Sequence, residues 1–232
     1  MTKIFYDGAV FGEWDKHPQV VGFTTNTTFA SSVVENFKDY KDFAIDALSY
    51  TKGRPISFQV VSDDLEDIER DAREISSWGS NVYVKIPIVT ANGESALDVI
   101  KKLHEEGHKI NVTTVYTKEQ ILSLQPVLTK ETPAVVSIFA GGISDTGLMP
   151  DEYVTYAVET FSSMKNVEIL WAGCQRLLSI KEAERCGCDI ITVPQEILKK
   201  TNRFDVPLED ASLAKSKLFY SDATKGNLKV NK

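Results

Sequence analysis

The sequence predicts an α/β fold, a single-domain (β/α)8 TIM barrel, on three observations. There are eight short apolar runs, helix-like segments lie between them, and the 232 residues approach the roughly 250 typical of that architecture. The runs are KIFYD (3–7), QVVGFT (19–24), PISFQVV (55–61), NVYVKIPI (81–88), KINVTTV (109–115), AVVSIF (134–139), VEILWA (167–172) and CDIITV (188–193). Strands apolar on both faces, each followed by a crossover helix, require a parallel sheet covered by helices, and eight such units close a barrel. A doubly wound open sheet is the competing architecture, and the number eight is what speaks against it.

The segments between the runs carry helix signals of their own. Over 63–78, Leu65, Ile68, Ala72 and Ile75 recur at intervals of three and four, one apolar stripe on a charged helix. Segment 92–107 places Leu97, Ile100 and Leu103 on a stripe and ends at Gly107 as a C-cap. Thr117 and Gln120 have the spacing of a capping box. Pro150 and the acids after it mark another helix start, and SIKEAERCG again ends in Gly. After Pro207, Leu208, Leu213 and Leu218 suit a C-terminal helix within 207–232, and SDATKGNLKVNK (221–232) reads as a mobile or partner-bound tail.

Composition narrows the function. Lys plus Arg number 26 against 33 Asp plus Glu, a net charge of −7, so no basic excess exists to hold a nucleic-acid backbone. Hydrophobic residues at 42% and charged residues at 25% suit a globular protein with a buried core and exclude disorder. No stretch approaches ~20 apolar residues, and Asp7, Glu13 and Asp15 stand where a signal peptide needs an apolar core, so no membrane partner is expected. Three cysteines, Cys174, Cys186 and Cys188, point to a reducing, cytoplasmic setting with structural thiols. Cys186-Gly187-Cys188 lacks further ligands close in sequence. His104 and His108 belong to a helix on the outside of the barrel, where a solvated face is expected, so neither motif predicts a metal.

In a barrel, chemistry collects at the C-terminal ends of the strands. Those positions are Asp7, Thr24 to Asn26, Gln59, Lys85, Asn111 to Thr113, Phe139, the turn 171–175 and Thr192, a polar set. Lys85 is flanked by Val84, Ile86 and Pro87, so its ammonium loses water and its pKa falls. A shift from ~10.4 to about 7 corresponds to about 4 to 5 kcal/mol against the cation. A neutral amine attacks a carbonyl, and the resulting imine is an electron sink for breaking or forming a neighbouring carbon–carbon bond without a cofactor. The other reading of Lys85 is a side chain that snorkels out of the mouth or pairs with a carboxylate. Its company of Asp7, Gln59, Asn111 and Thr113 favours chemistry.

FYDGA (5–9), GFTTNTTF (22–29), VKIP (84–87), INVTT (110–114) and DIITVP (189–194) together, spread over nearly the whole chain, resemble the transaldolase family. The compact length is similar to its small transaldolase and fructose-6-phosphate aldolase-like subfamily. The resemblance implies a metal-independent enzyme of carbohydrate metabolism, placed with the pentose phosphate pathway, that transfers or cleaves a dihydroxyacetone unit of a sugar or sugar phosphate. Reversible aldol cleavage of the fructose-6-phosphate aldolase type and a non-catalytic sugar-binding relative are the alternatives. Lys85 would form the imine and Asp7 would move protons. Asn26, with Thr24, Asn111 and Thr113 would bind substrate, and Thr113 with Gln59 would also hold the catalytic water. Thr24, Thr25 and Asn26 could equally cap the next helix, and Asn111 and Thr113 could make inter-strand hydrogen bonds. Gln59 matches the aldolase branch, whereas Phe139 matches transaldolases, which makes a hybrid. Gly142 stands where the family has a phosphate-binding arginine, and Gly173 and Gln175 replace a serine and a basic residue. Arg176 could reach the same anion or cap its loop, and Gly141, Gly142 and Gly173 could expose backbone amides to it. Trp171 and Cys174 are expected to pack this altered mouth. A homo-oligomer is implied by the resemblance alone.

Overall fold

A computed structural model describes residues 1–230; Asn231 and Lys232, the end of the predicted tail, lie outside them. Eight strands form the barrel: β1 (Lys3–Asp7), β2 (Val20–Thr24), β3 (Ile56–Gln59), β4 (Val82–Pro87), β5 (Ile110–Val115), β6 (Ala134–Ile138), β7 (Val167–Trp171) and β8 (Ile190–Pro194). They are joined in sequence order, every neighbouring pair is parallel, and β8 closes on β1. The predicted (β/α)8 barrel is therefore the observed one, within a compact unit that spans Met1–Leu198.

Side-chain alternation explains why these runs are apolar throughout. One face of each strand meets the helices: Phe58, for example, packs on Phe43 and Trp78 at 6.3 and 5.7 Å between ring centroids. The other face fills the barrel, where Phe5, Val135, Leu170, Ala172 and Ile190 cluster with Tyr83 and Phe139. Gly22 makes room for this filling, because a Cβ there would stand 2.4 Å from the Phe5 ring.

Helix signals hold where the stripe contrasts with its surroundings. In the Leu65–Ser77 helix Ile68, Ala72 and Ile75 are buried, and Asp64 caps the amides of Glu66 and Asp67. The capping box forms: Gln120 N donates to Thr117 Oγ1 at 3.1 Å, and Thr117 N donates to Gln120 Oε1 at 3.0 Å. Gly107 and Gly187, after their helices, have φ of +90° and +72°, as C-cap glycines need.

Several expectations are corrected. The helix in 92–107 runs only from Leu97 to Glu105, because the chain before it folds into a turn in which Ala96 N donates to Ile88 O at 3.0 Å. Its buried face is Val99, Ile100, Leu103 and His104. His104 is therefore not on a solvated face: it is fully buried, accepts from Thr129 N at 2.9 Å on Nδ1, and burial lowers its pKa. His108 is part-buried, with Nδ1 2.9 Å from Ser76 Oγ. A further helix, Tyr40–Thr51, is capped by Asp39 and buries Phe43, Ala44, Ala47 and Thr51, a face with little apolar contrast in the sequence. The third run stops at Gln59, and Phe139 lies beyond β6, at the start of a short helix, Ala140–Asp145.

The chain from Lys199 onward forms a second compact unit. It contains the helix Leu208–Lys225, with Glu209 and Asp210 in its first turn and Lys225 in its last. The helix extends five residues into the stretch read as a tail. No helix of the described residues is long and apolar enough to cross a membrane.

Candidate active site

Strand order brings the inward-facing residues at the carboxyl ends into two arcs. Thr192 (β8), Asp7 (β1) and Thr24 (β2) make one. Gln59 (β3), Lys85 (β4), Asn111 (β5) and Ser137 (β6) make the other, with Gln59 paired in register to Lys85 and Lys85 to Asn111. Lys85 is only 5% exposed, so it does not reach out of the mouth, and its Nζ donates to Thr25 O at 3.3 Å. Burial pushes its pKa below the usual amine range, and the Asp7 charge opposes this. Asp7 is the mirror case. Burial raises its carboxyl pKa, Lys85 and a hydrogen bond from Thr24 pull it back, and Glu196 adds to the rise. Thr24 Oγ1 donates to Asp7 Oδ1 at 2.8 Å and is also hydrogen-bonded to Thr192 Oγ1. A cavity of about 190 Å³ opens beside Asp7, walled in part by Tyr6, Gly8, Phe29 and Glu196.

Asn111 is fully buried and held from both sides: its Nδ2 donates to Ser57 Oγ at 2.9 Å, and Ser137 Oγ donates to its Oδ1 at 2.7 Å. These are inter-strand hydrogen bonds, and they leave one N–H of the amide uncommitted. Ser57 and Ser137 were not among the residues singled out in the sequence. Their signal was a small polar residue at the inward phase of an apolar run. The Thr113 hydroxyl is buried and has no hydrogen-bond partner among the described residues. Gln59 shares the inward phase of Ser57, and its backbone oxygen accepts from Tyr40 Oη at 3.1 Å. Asn26 caps the helix Thr27–Ser31, with Oδ1 accepting from Phe29 N at 2.9 Å.

The β6–β7 side of the mouth differs in charge. Arg176 Nη2 donates to Glu182 Oε1 at 2.6 Å, so its guanidinium is paired, and Gln175 Nε2 donates to the Asp145 carboxylate at 3.0 and 3.1 Å. Gly141, Gly173, Gln175, Arg176 and Glu182 help to line a groove of about 260 Å³. Gly142 leaves room for Tyr116, whose hydroxyl would be 2.2 Å from a Cβ at that position, and Tyr116 stacks on Phe139 at 5.5 Å. Trp171 and Cys174 are buried, and burial pushes the Cys174 thiol up to about 12, which leaves it protonated and unreactive. Among the described residues no three His, Cys, Asp or Glu side chains gather as metal ligands.

An amine biased toward its neutral form beside a carboxyl biased toward its acid form can add to a carbonyl while the acid moves protons. The chain matches the family described as Transaldolase/Fructose-6-phosphate aldolase over residues 4–230. It is 30% identical over 212 residues to a probable transaldolase of Thermoanaerobacter sp. (strain X514), covering 91% of this chain and 90% of that one. A probable transaldolase of Clostridium botulinum (strain Eklund 17B / Type B) is 30% identical over 218 residues, covering 92% and 95%. One from Methanococcus maripaludis is 30% identical over 204 residues, covering 88% and 87%.

Proposed function

This chain belongs to the transaldolase/fructose-6-phosphate aldolase family, and from that premise we propose that it forms a Schiff base on Lys85 and transfers or cleaves a dihydroxyacetone unit. The observation that carries this reading is the Lys85 amine, buried on the inner wall with its pKa lowered, in register with Gln59 and Asn111 and within the field of Asp7.

Lys85 Nζ attacks the ketose carbonyl, and the carbinolamine oxygen leaves as water after protonation by Asp7. The iminium then accepts the electron pair of the adjacent carbon–carbon bond as it breaks, and the aldehyde half departs when its hydroxyl proton passes to Asp7. The enamine left on Lys85 attacks an acceptor aldehyde, which is transfer, or takes a proton, which is cleavage. Water then releases the product. Asn111, through its uncommitted N–H, and Thr113, through its unpartnered hydroxyl, bind donor hydroxyls. Gln59 orients water but takes no proton, so proton movement falls to Asp7. Asn26 keeps its Nδ2 for substrate while its oxygen caps the helix, and Thr24 holds Asp7. Phe139 supplies an apolar wall.

The substrate is one with a missing or differently bound phosphate. Arg176 and Gln175, the two residues at and beside the family's phosphate-binding position after β7, are each engaged by a carboxylate, so a phosphate dianion there would stand against Glu182 and Asp145. Borohydride reduction in the presence of dihydroxyacetone, followed by peptide mapping, should mark Lys85; labelling elsewhere or nowhere defeats the mechanism. Turnover of fructose should compare favourably with that of fructose 6-phosphate, and a strong preference for the ester defeats the substrate reading alone.

A further inference from the structure

We infer that Thr192 is a positioning residue for Asp7, acting through the hydroxyl of Thr24; this rests on the Schiff-base reading above. Three adjacent strands, β8, β1 and β2, put Thr192, Asp7 and Thr24 on one side of the mouth, and both threonines are buried. Thr24 Oγ1 donates to Asp7 Oδ1 at 2.8 Å and shares a second hydrogen bond with Thr192 Oγ1. A hydroxyl has one proton to give. With the Thr24 proton committed to the carboxylate, the proton of the second bond comes from Thr192, and the chain runs from Thr192 to Thr24 to Asp7.

Direction matters because hydrogen bonds in series strengthen one another. A Thr24 hydroxyl that accepts from Thr192 is a better donor to the carboxylate, so Thr192 helps to hold Asp7 ionised and oriented without touching it. When Asp7 takes up a proton from substrate on Oδ2, the oxygen that Thr24 does not hold, Oδ1 stays the acceptor of the Thr24 proton and the chain keeps its direction. No heavy atom needs to move, so the carboxyl gains and loses its proton within one fixed set of partners. The other titratable neighbours of Asp7 are Lys85 on β4, which favours its charge, and Glu196 after β8, which opposes it. Tyr6 on β1 and Cys174 after β7 also feel its charge, and both are pushed up to about 12 and stay neutral.

Thr192→Val keeps the shape and removes the hydroxyl. The expected result is a fall in kcat of about tenfold with KM little changed. The acid limb of the kcat profile should move to higher pH by about half a unit, because the Asp7 carboxylate has lost support. Thr192→Ser should restore most of the activity and the original limb. Thr192→Ala serves the same purpose if the valine variant does not fold, and the same shift is expected. A valine variant with wild-type kcat and an unmoved limb overturns the inference, as does a serine variant as impaired as the valine one, which would indicate packing. Borohydride trapping with dihydroxyacetone runs in parallel: label on Lys85 in wild type with unaltered Thr192 variants sinks this inference alone. Absence of label in wild type sinks the Schiff-base reading, and this inference with it.

Discussion

Along four strands, inward-facing residues two positions apart differ in kind: Phe5 and Asp7, Tyr83 and Lys85, Val135 and Ser137, Ile190 and Thr192. The deeper member of each pair belongs to the apolar filling of the barrel, and the shallower one carries a charge or a hydrogen bond. A step of roughly 6 to 7 Å along a strand separates them. The deep layer supplies a low-dielectric floor, and burial drives the Lys85 amine toward neutrality. Stability and reactivity are thus divided between two layers of the same strands, and each can be disturbed separately.

The largest effect is expected from Lys85→Met, which should abolish imine trapping and reduce turnover by several orders of magnitude while the barrel stays folded. The same variant tests a pH signature. Because the folded pKa of Lys85 lies below its ordinary value, the unfolded chain binds more protons between the two. Wild-type stability therefore gains as pH rises through that window toward the ordinary amine range. Asp7, with a raised folded pKa, acts in the opposite sense, costing stability as pH climbs from the ordinary carboxylate range through that raised value. Urea unfolding midpoints measured against pH should show the alkaline gain in wild type and lose it in the methionine variant. An unchanged slope would mean that the amine is not desolvated.

Next in size is Phe5→Ala in the deep layer, expected to cost about 3 to 5 kcal/mol of stability in denaturant unfolding. It should also raise the pH at which the surviving enzyme works best, because a cavity in the apolar cluster on which Tyr83 packs admits water to the floor of the site. If the pH optimum stays fixed, the deep layer does not tune the amine. Gly22→Ala should cost about 1 to 3 kcal/mol by pressing a methyl into the Phe5 ring, with kcat nearly intact. The smallest change is expected from Thr113→Val. Removing a buried hydroxyl that lacks a partner should leave thermal stability equal or slightly higher, while the KM for the donor ketose rises several-fold. A loss of stability instead would show that the hydroxyl serves the fold.

The strands and their order were legible because each is an apolar run bounded by turns, and Lys85 stood out because a charge interrupts one of them. The Tyr40–Thr51 helix was not legible: Ala44, Ala47 and Thr51 make up much of its buried face, and small side chains give little contrast with polar neighbours. His104 was misplaced because an imidazole at helical spacing reads the same whether it faces water or the Thr129 amide. At the site, Asp7, Gln59, Lys85, Asn111 and Thr113 could be grouped from strand ends alone. The roles of Ser57, Ser137 and Thr192 depend on which hydroxyl meets which neighbour across strands, and that information exists only in the register.

Asn111 is gripped by one serine at its nitrogen and another at its oxygen, and because each hydroxyl can give or take a proton, the two serines fix the plane of the carboxamide but not which of its ends meets which serine. As the amide stands, the edge it offers to an incoming ligand is that of a proton giver. Were the amide to turn over and both serine protons to reverse with it, the same asparagine would present an oxygen, converting its preference from lone pairs to hydroxyl hydrogens without altering a single atom of the residue itself.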